Sequence, residues 1–118
     1  MQALGKTTWL IPDMYWPEIT TDGHYVSHEA ICVLNAGTSG ASITLTFYFE
    51  DRDPIVYRNL HCPAQRTRHF RMDQLGILPK GVPYAALLQS DAPIVVQYSR
   101  LDTTQSAETL ATTMAFGL

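Results

Sequence analysis

The chain has 118 residues, 46% of them apolar, so it is long enough for one buried core and too apolar for disorder. Charged residues reach only 16% and the net charge is −3, which argues against a broadly basic nucleic-acid binder and leaves charge-poor faces suited to self-association. Seven glycines and seven prolines exclude a coiled coil, and no apolar run approaches the ~18 residues of a membrane span, so no membrane insertion is expected.

Residues 1–10 hold one lysine and no apolar segment ending in a cleavage site, so they do not read as a secretory signal and the expected location is cytoplasmic. There Cys32 and Cys62 stay reduced. Cys32, among Ile31, Val33 and Leu34, reads as a small core residue. Trp9, Tyr15 and Trp16, with Pro12 and Pro17, form an aromatic, proline-rich stretch that suits core or interface packing.

The rest reads as strands. His24 to Leu34 is apolar on both faces near its end and is expected to lie centrally in a sheet. Residues 35–40, rich in Asn, Gly and Ser, read as a hairpin connection. Ala41 to Glu50 alternates strictly, with Ala41, Ile43, Leu45, Phe47 and Phe49 on the core face. Asp51 to Pro54 is a turn and Ile55 to His61 a strand. Gln65 to Met72 is a strand with Arg66, Arg68 and Phe70 on one face and Thr67, His69 and Arg71 on the other. Met72 to Gly76 reads as one helical turn capped by Asp73. Tyr84 to Gln89 is a strand, Ser90 to Pro93 a turn, and Ile94 to Thr103 a strand that changes from apolar to polar midway. Ala107 to Phe116 has mixed propensities, and its all-β context favours strand. The regular spacing of turn signals predicts an antiparallel sandwich or barrel.

Chemistry-bearing motifs are few. His24 and His28, four apart on a strand, stand about 13 Å from one another, too far for one metal ion. There is no nucleophile elbow, phosphate loop or paired-carboxylate motif, so no catalytic residue, metal or cofactor is expected. In Ser27-His28-Glu29, only one of His28 and Glu29 can face a given cavity; these polar groups are either a strand's wet end or hydrogen-bond partners for a ligand. Gln65 to Arg71 is the densest basic stretch, with three of the chain's eight basic residues. A solvated face, interchain ion pairs, a ligand site or a nucleic-acid contact all fit it. Arg100 and Asp102 share a face and suit mutual pairing or a ligand.

Taken in order, several features resemble the sensory rhodopsin transducer family. They are Trp9, Ser27-His28-Glu29, Leu34-Asn35-Ala36-Gly37, Pro63-Ala64 with Arg66-Thr67, His69 and Arg71, Gln89-Ser90, Pro93 to Gln97, and Arg100-Leu101-Asp102 with Gln105. The resemblance implies an all-β fold, an antiparallel β-sandwich with jelly-roll-like topology, spanning 1–118 as a single domain. It also implies a homotetramer that binds a small polar ligand, a sugar or related metabolite, and acts without catalysis as a sensor or transducer. The alternative is a DNA-binding transcriptional regulator, or a signal transducer coupled to a membrane receptor. The residues expected in the pocket are His28, Glu29, Asn35, Arg66, His69, Gln97, Arg100 and Asp102. Arg66 and Arg100 would donate to ligand oxygens, His28 and His69 would be pH-sensitive donors, and Asn35 and Gln97 would fix orientation.

Overall fold

The computed structural model describes residues 3–18, 26–103 and 109–118. Its strands are β1 (Lys6–Tyr15), β2 (His28–Asn35), β3 (Ala41–Phe49), β4 (Ile55–Cys62), β5 (Arg66–Arg71), β6 (Pro83–Asp102), β7 (Thr109–Met114) and β8 (Phe116–Gly117). A short 3-10 helix, Met72–Gln74, follows β5. Sheet I runs β4-β3-β6-β1-β8 and sheet II runs β5-β2-β6-β7, with every pairing antiparallel. The chain passes from one sheet to the other after β1, β2, β4, β5 and β7, and again within β6, which gives the sandwich its jelly-roll-like character. No helix among the described residues is long and apolar enough to cross a membrane.

Alternation builds the core. Ala41, Ile43, Leu45 and Phe47 of β3 are buried while Ser42 and Tyr48 are exposed, as their period of two requires. Ile31 and Val33 of β2 face them from sheet II, with Ile94 and Val96 of β6. Each such side chain contributes about 1.5–3 kcal/mol by leaving water. β2 lies between β5 and β6, which explains its apolar character on both faces.

Four local expectations need correction. Ser90 to Pro93 is not a turn between two strands: β6 is one 20-residue strand that runs through it. Its first half pairs with β1 and β3 and its second half with β2 and β7, so these residues form the corner where the strand leaves one sheet for the other. Ser90 Oγ holds that corner, donating to the Ala92 carbonyl at 2.7 Å. Residues 36–40 are not a hairpin, since β2 and β3 lie in different sheets. They form a crossing, tied by the buried Asn35 side chain. Its Nδ2 donates to the carbonyls of Ser39 (2.9 Å) and Cys62 (3.1 Å), and its Oδ1 accepts the Gly37 N–H (3.0 Å). Cys32 faces outward and is only partly buried, because Ile31 and Val33 take the core side; Cys62 is the buried thiol, and both are free. Asp73 does not cap the 3-10 helix but forms a two-bond pair with Arg71, at 2.7 and 3.0 Å.

The aromatic N-terminal stretch is the strand β1. Trp9 is buried, and its indole N–H is shared between the carbonyls of Lys6 and Ile94, each at 3.1 Å. Gly5, at φ +107, lies so close to Ile94 that a Cβ there would meet the Ile94 carbonyl oxygen at 2.1 Å. Pro12 sits where the β1–β6 register shifts, between Ile11 and Met14, a position that tolerates a missing N–H.

Candidate ligand-binding site

Between the sheets, one carboxylate organises the interior. Glu29 follows the inward phase of Ile31 and Val33 and is 1% exposed. Tyr15 donates its backbone N–H to Oε2 at 2.8 Å, and Tyr84 donates its hydroxyl to Oε1 at 2.5 Å. Tyr98 also donates its hydroxyl to Oε2. Three donors on one carboxylate suit its ionised form. Burial pushes the other way and raises the Glu29 pKa above 4.5, with Tyr84, Tyr98, the Tyr15 N–H and Arg100 opposing it. Tyr84 and Tyr98 are both held far above the usual phenol range, by burial first and then by the adjacent carboxylate.

Arg100 extends the network. Its register places it directly beside Glu29 on the neighbouring strand, two residues from Tyr98 on the same face. Nε donates to the Tyr98 hydroxyl at 2.9 Å, so Tyr98 links guanidinium to carboxylate. Nη2 stands 3.7 Å from Glu29 Oε2 and 3.8 Å from Asp13 Oδ1, beyond hydrogen-bond reach of both. It is buried and has no acceptor among the described residues. Burial disfavours this charge, yet Tyr98, Glu29 and Asp13 hold its pKa above the usual value.

Arg100 lines a cavity of about 420 Å³ between β1 and β7. Asp13, Tyr98, Thr112 and Thr113 are among its other walls, and Leu10, Ile11, Met114 and Phe116 supply apolar ones. That volume and mixture suit a small organic molecule.

Of the residues expected in one pocket, the structure brings Glu29 and Arg100 together. Asn35 and Arg66 are cross-strand partners at the other end of sheet II. Six residues of strand separate Glu29 from Asn35, about 20 Å. Asn35 borders another cleft of about 380 Å³, but both its donors and its carbonyl oxygen are engaged in holding the crossing. His28, His69 and Gln97 lie on the outer face of sheet II, where His69 and Gln97 flank Cys32. His28 Nδ1 donates to the Val26 carbonyl at 2.9 Å. Asp102 ends β6 opposite Thr109, half-buried. His24 lies outside the described residues. Asp13, Tyr84 and Tyr98 are the members that sequence reading missed. Tyr98 had a usable signal, since it is two residues from Arg100 and shares its face; Asp13 and Tyr84 had none. No group of three or more His, Cys, Asp or Glu among the described residues is placed to hold a metal ion.

The family model for the Anabaena sensory rhodopsin transducer matches residues 4–117. The chain belongs to that family. Among solved structures it is similar to the crystal structure of Thermotoga maritima 1070, with a TM-score of 0.90 and 39% identity, covering 97% of this chain and 96% of that one. It is also similar to the structure of the Anabaena sensory rhodopsin transducer, with a TM-score of 0.76 and 38% identity, covering 89% of this chain and 96% of that one. No curated protein matches it. For a transducer-family chain the buried Glu29–Tyr98–Arg100 network is the notable polar feature, since it joins the cavity to the middle of the sandwich.

Proposed function

We propose that the protein is a non-enzymatic transducer that binds a small hydroxylated ligand, such as a sugar, in the cavity at Arg100 and passes that state to a signalling partner. The buried Arg100 Nη2 carries this reading. A buried donor without an acceptor is costly, and a ligand oxygen would satisfy it. Arg100 already has Glu29 as counter-charge through Tyr98, so a neutral oxygen serves as well as an anion. Asp13 offers the complementary acceptor for a ligand hydroxyl, and Ile11 and Ala115 offer apolar wall beside it. The family's name supplies the signalling partner, a receptor of the sensory rhodopsin kind.

The assembly we propose is a cytoplasmic homotetramer of 1–118. Two apolar sheet faces support it. On sheet I, Val56, Thr46, Leu87, Leu10 and Phe116 are successive cross-strand neighbours over five strands, and all are uncharged. On sheet II, exposed Leu34, Leu110 and Met114 stand on the outer face. Two distinct self-complementary patches are what a tetramer of paired dimers uses.

Thermal unfolding against sugars, sugar acids and nucleotides tests the ligand. A native-state ligand at about 100 times its Kd adds roughly 2.7 kcal/mol, a clear rise in Tm. Arg100→Ala should abolish the rise. A panel without a hit, or a hit retained by R100A, removes the cavity from the function.

A further inference from the structure

A second surface stands apart from this cavity. Among the described residues, sheet II ends at β5, which pairs only with β2, and sheet I ends at β4, which pairs only with β3. These two free edges lie side by side, joined by the short link through Pro63, Ala64 and Gln65. Arg68 Nη1 donates across the gap to the His61 carbonyl at 3.3 Å. Residues 54–72 carry four arginines and no acidic residue, within a chain whose net charge is −3. Arg66 and Arg68 are exposed, and among the described residues neither has a carboxylate within ion-pair distance. Among the described residues their side chains donate to main-chain carbonyls, of Gln65 for Arg66 and of His61 for Arg68. The Arg68 guanidinium also lies 5.4 Å from the centre of the Phe70 ring, which props it at the rim.

We propose that the β5 edge docks an extended acidic peptide segment of a partner protein, which adds to sheet II as a further strand. An edge strand presents the outward N–H and C=O groups of alternate residues, and a peptide in extended form pairs with them. Side chains directly opposite across such a pair stand about 4.5–5.5 Å apart at Cβ. Acidic residues two apart on the incoming strand therefore meet Arg66 and Arg68 together, each with a planar guanidinium suited to a carboxylate. A second copy of this edge is a poorer occupant, because it would bring the same arginines to a surface that has no carboxylate for them. A nucleic acid would use the charge but leave the strand's open main-chain groups unpaired.

The test uses the whole protein and an end-capped, fluorescent peptide of alternating valine and glutamate, read by anisotropy. Two further peptides carry N-methyl groups on every other residue, in one phase or the other. The expected result is saturable binding, lost at least tenfold for one phase and retained for the other, because only one edge of the added strand faces β5. Arg66→Glu with Arg68→Glu should weaken binding at least tenfold while the unfolding curve stays in place, and Arg66→Lys with Arg68→Lys should restore part of it. Equal binding of both methylated peptides would show that charge alone attracts them and would overturn the docking mode. Tighter binding of an oligothymidylate than of the peptide would make the edge a nucleic-acid surface, and absence of peptide binding would overturn the proposal outright.

Discussion

Sheet II holds its polar side chains in two different ways at its two ends. At the Glu29 end a charged pair is buried, separated by one tyrosine hydroxyl and ringed by donors. At the Asn35 end the buried group is a neutral amide that ties a loop, and the charges, Arg66 and Arg68, remain in solvent on the edge strand. The same residue types thus carry different energetic weight. A buried charge must be matched or it destabilises the fold, whereas an exposed arginine can be spent on a partner without consequence for the core.

The sharpest break of this comparison is truncation. Glu29→Ala would leave two tyrosine hydroxyls and the Tyr15 N–H without their acceptor and the Arg100 charge without its counter-charge, at a cost of about 3–5 kcal/mol. Asn35→Ala should cost less, about 1–3 kcal/mol, since it loosens one crossing without stranding a charge. Denaturant unfolding measures both, and an order reversed from this one would mean that the crossing, not the carboxylate, secures the sandwich.

A second difference lies in pH. Because burial raises the Glu29 pKa above 4.5, the folded chain binds that proton more tightly than the unfolded chain does. Glu29 therefore favours folding most below pH 4.5, and this contribution is lost as pH rises through the elevated folded value. Each pKa unit between the two states is worth about 1.4 kcal/mol. Measured against Glu29→Gln, the wild-type protein should lose relative stability on going from pH 4 to pH 8. A relative gain over that range would mean that the donors around Glu29 outweigh its burial.

The smallest effect belongs to the other end. Arg66→Ala combined with Arg68→Ala should change unfolding free energy by no more than about 0.5 kcal/mol, because neither side chain has a buried partner. A loss of several kcal/mol would make the pair a strut between β4 and β5.

Much of the fold was legible where one face is wet and the other dry. Ala41 to Phe49 announces itself in this way, whereas in β5 only Phe70 is buried. The corner of β6 was hidden because Ser90, Asp91 and Pro93 are turn residues by composition, and only the two sheets around them keep the strand running. The crossing at residues 36–40 looked like a hairpin for the same reason: Asn and Gly mark a change of direction but not which strand comes next. At the site, Glu29 and Arg100 stood out as polar residues in apolar strands. What pairs them is register between distant strands, which no local pattern encodes, and Asp13 joins them only because β1 passes the open side of the sandwich.

The single length of β6 has a mechanical meaning. Because one unbroken strand belongs to both sheets, sliding one past the other would have to break its ladders, whereas a swing about the bend held by Ser90 would not. Arg100 sits seven residues beyond Pro93, a lever arm of about 23 Å. A swing of roughly 10° at the bend carries that end of the strand through about 4 Å. Any molecule gripping Arg100 is thus connected to the opposite sheet by a rigid arm with its fulcrum at residues 90–93.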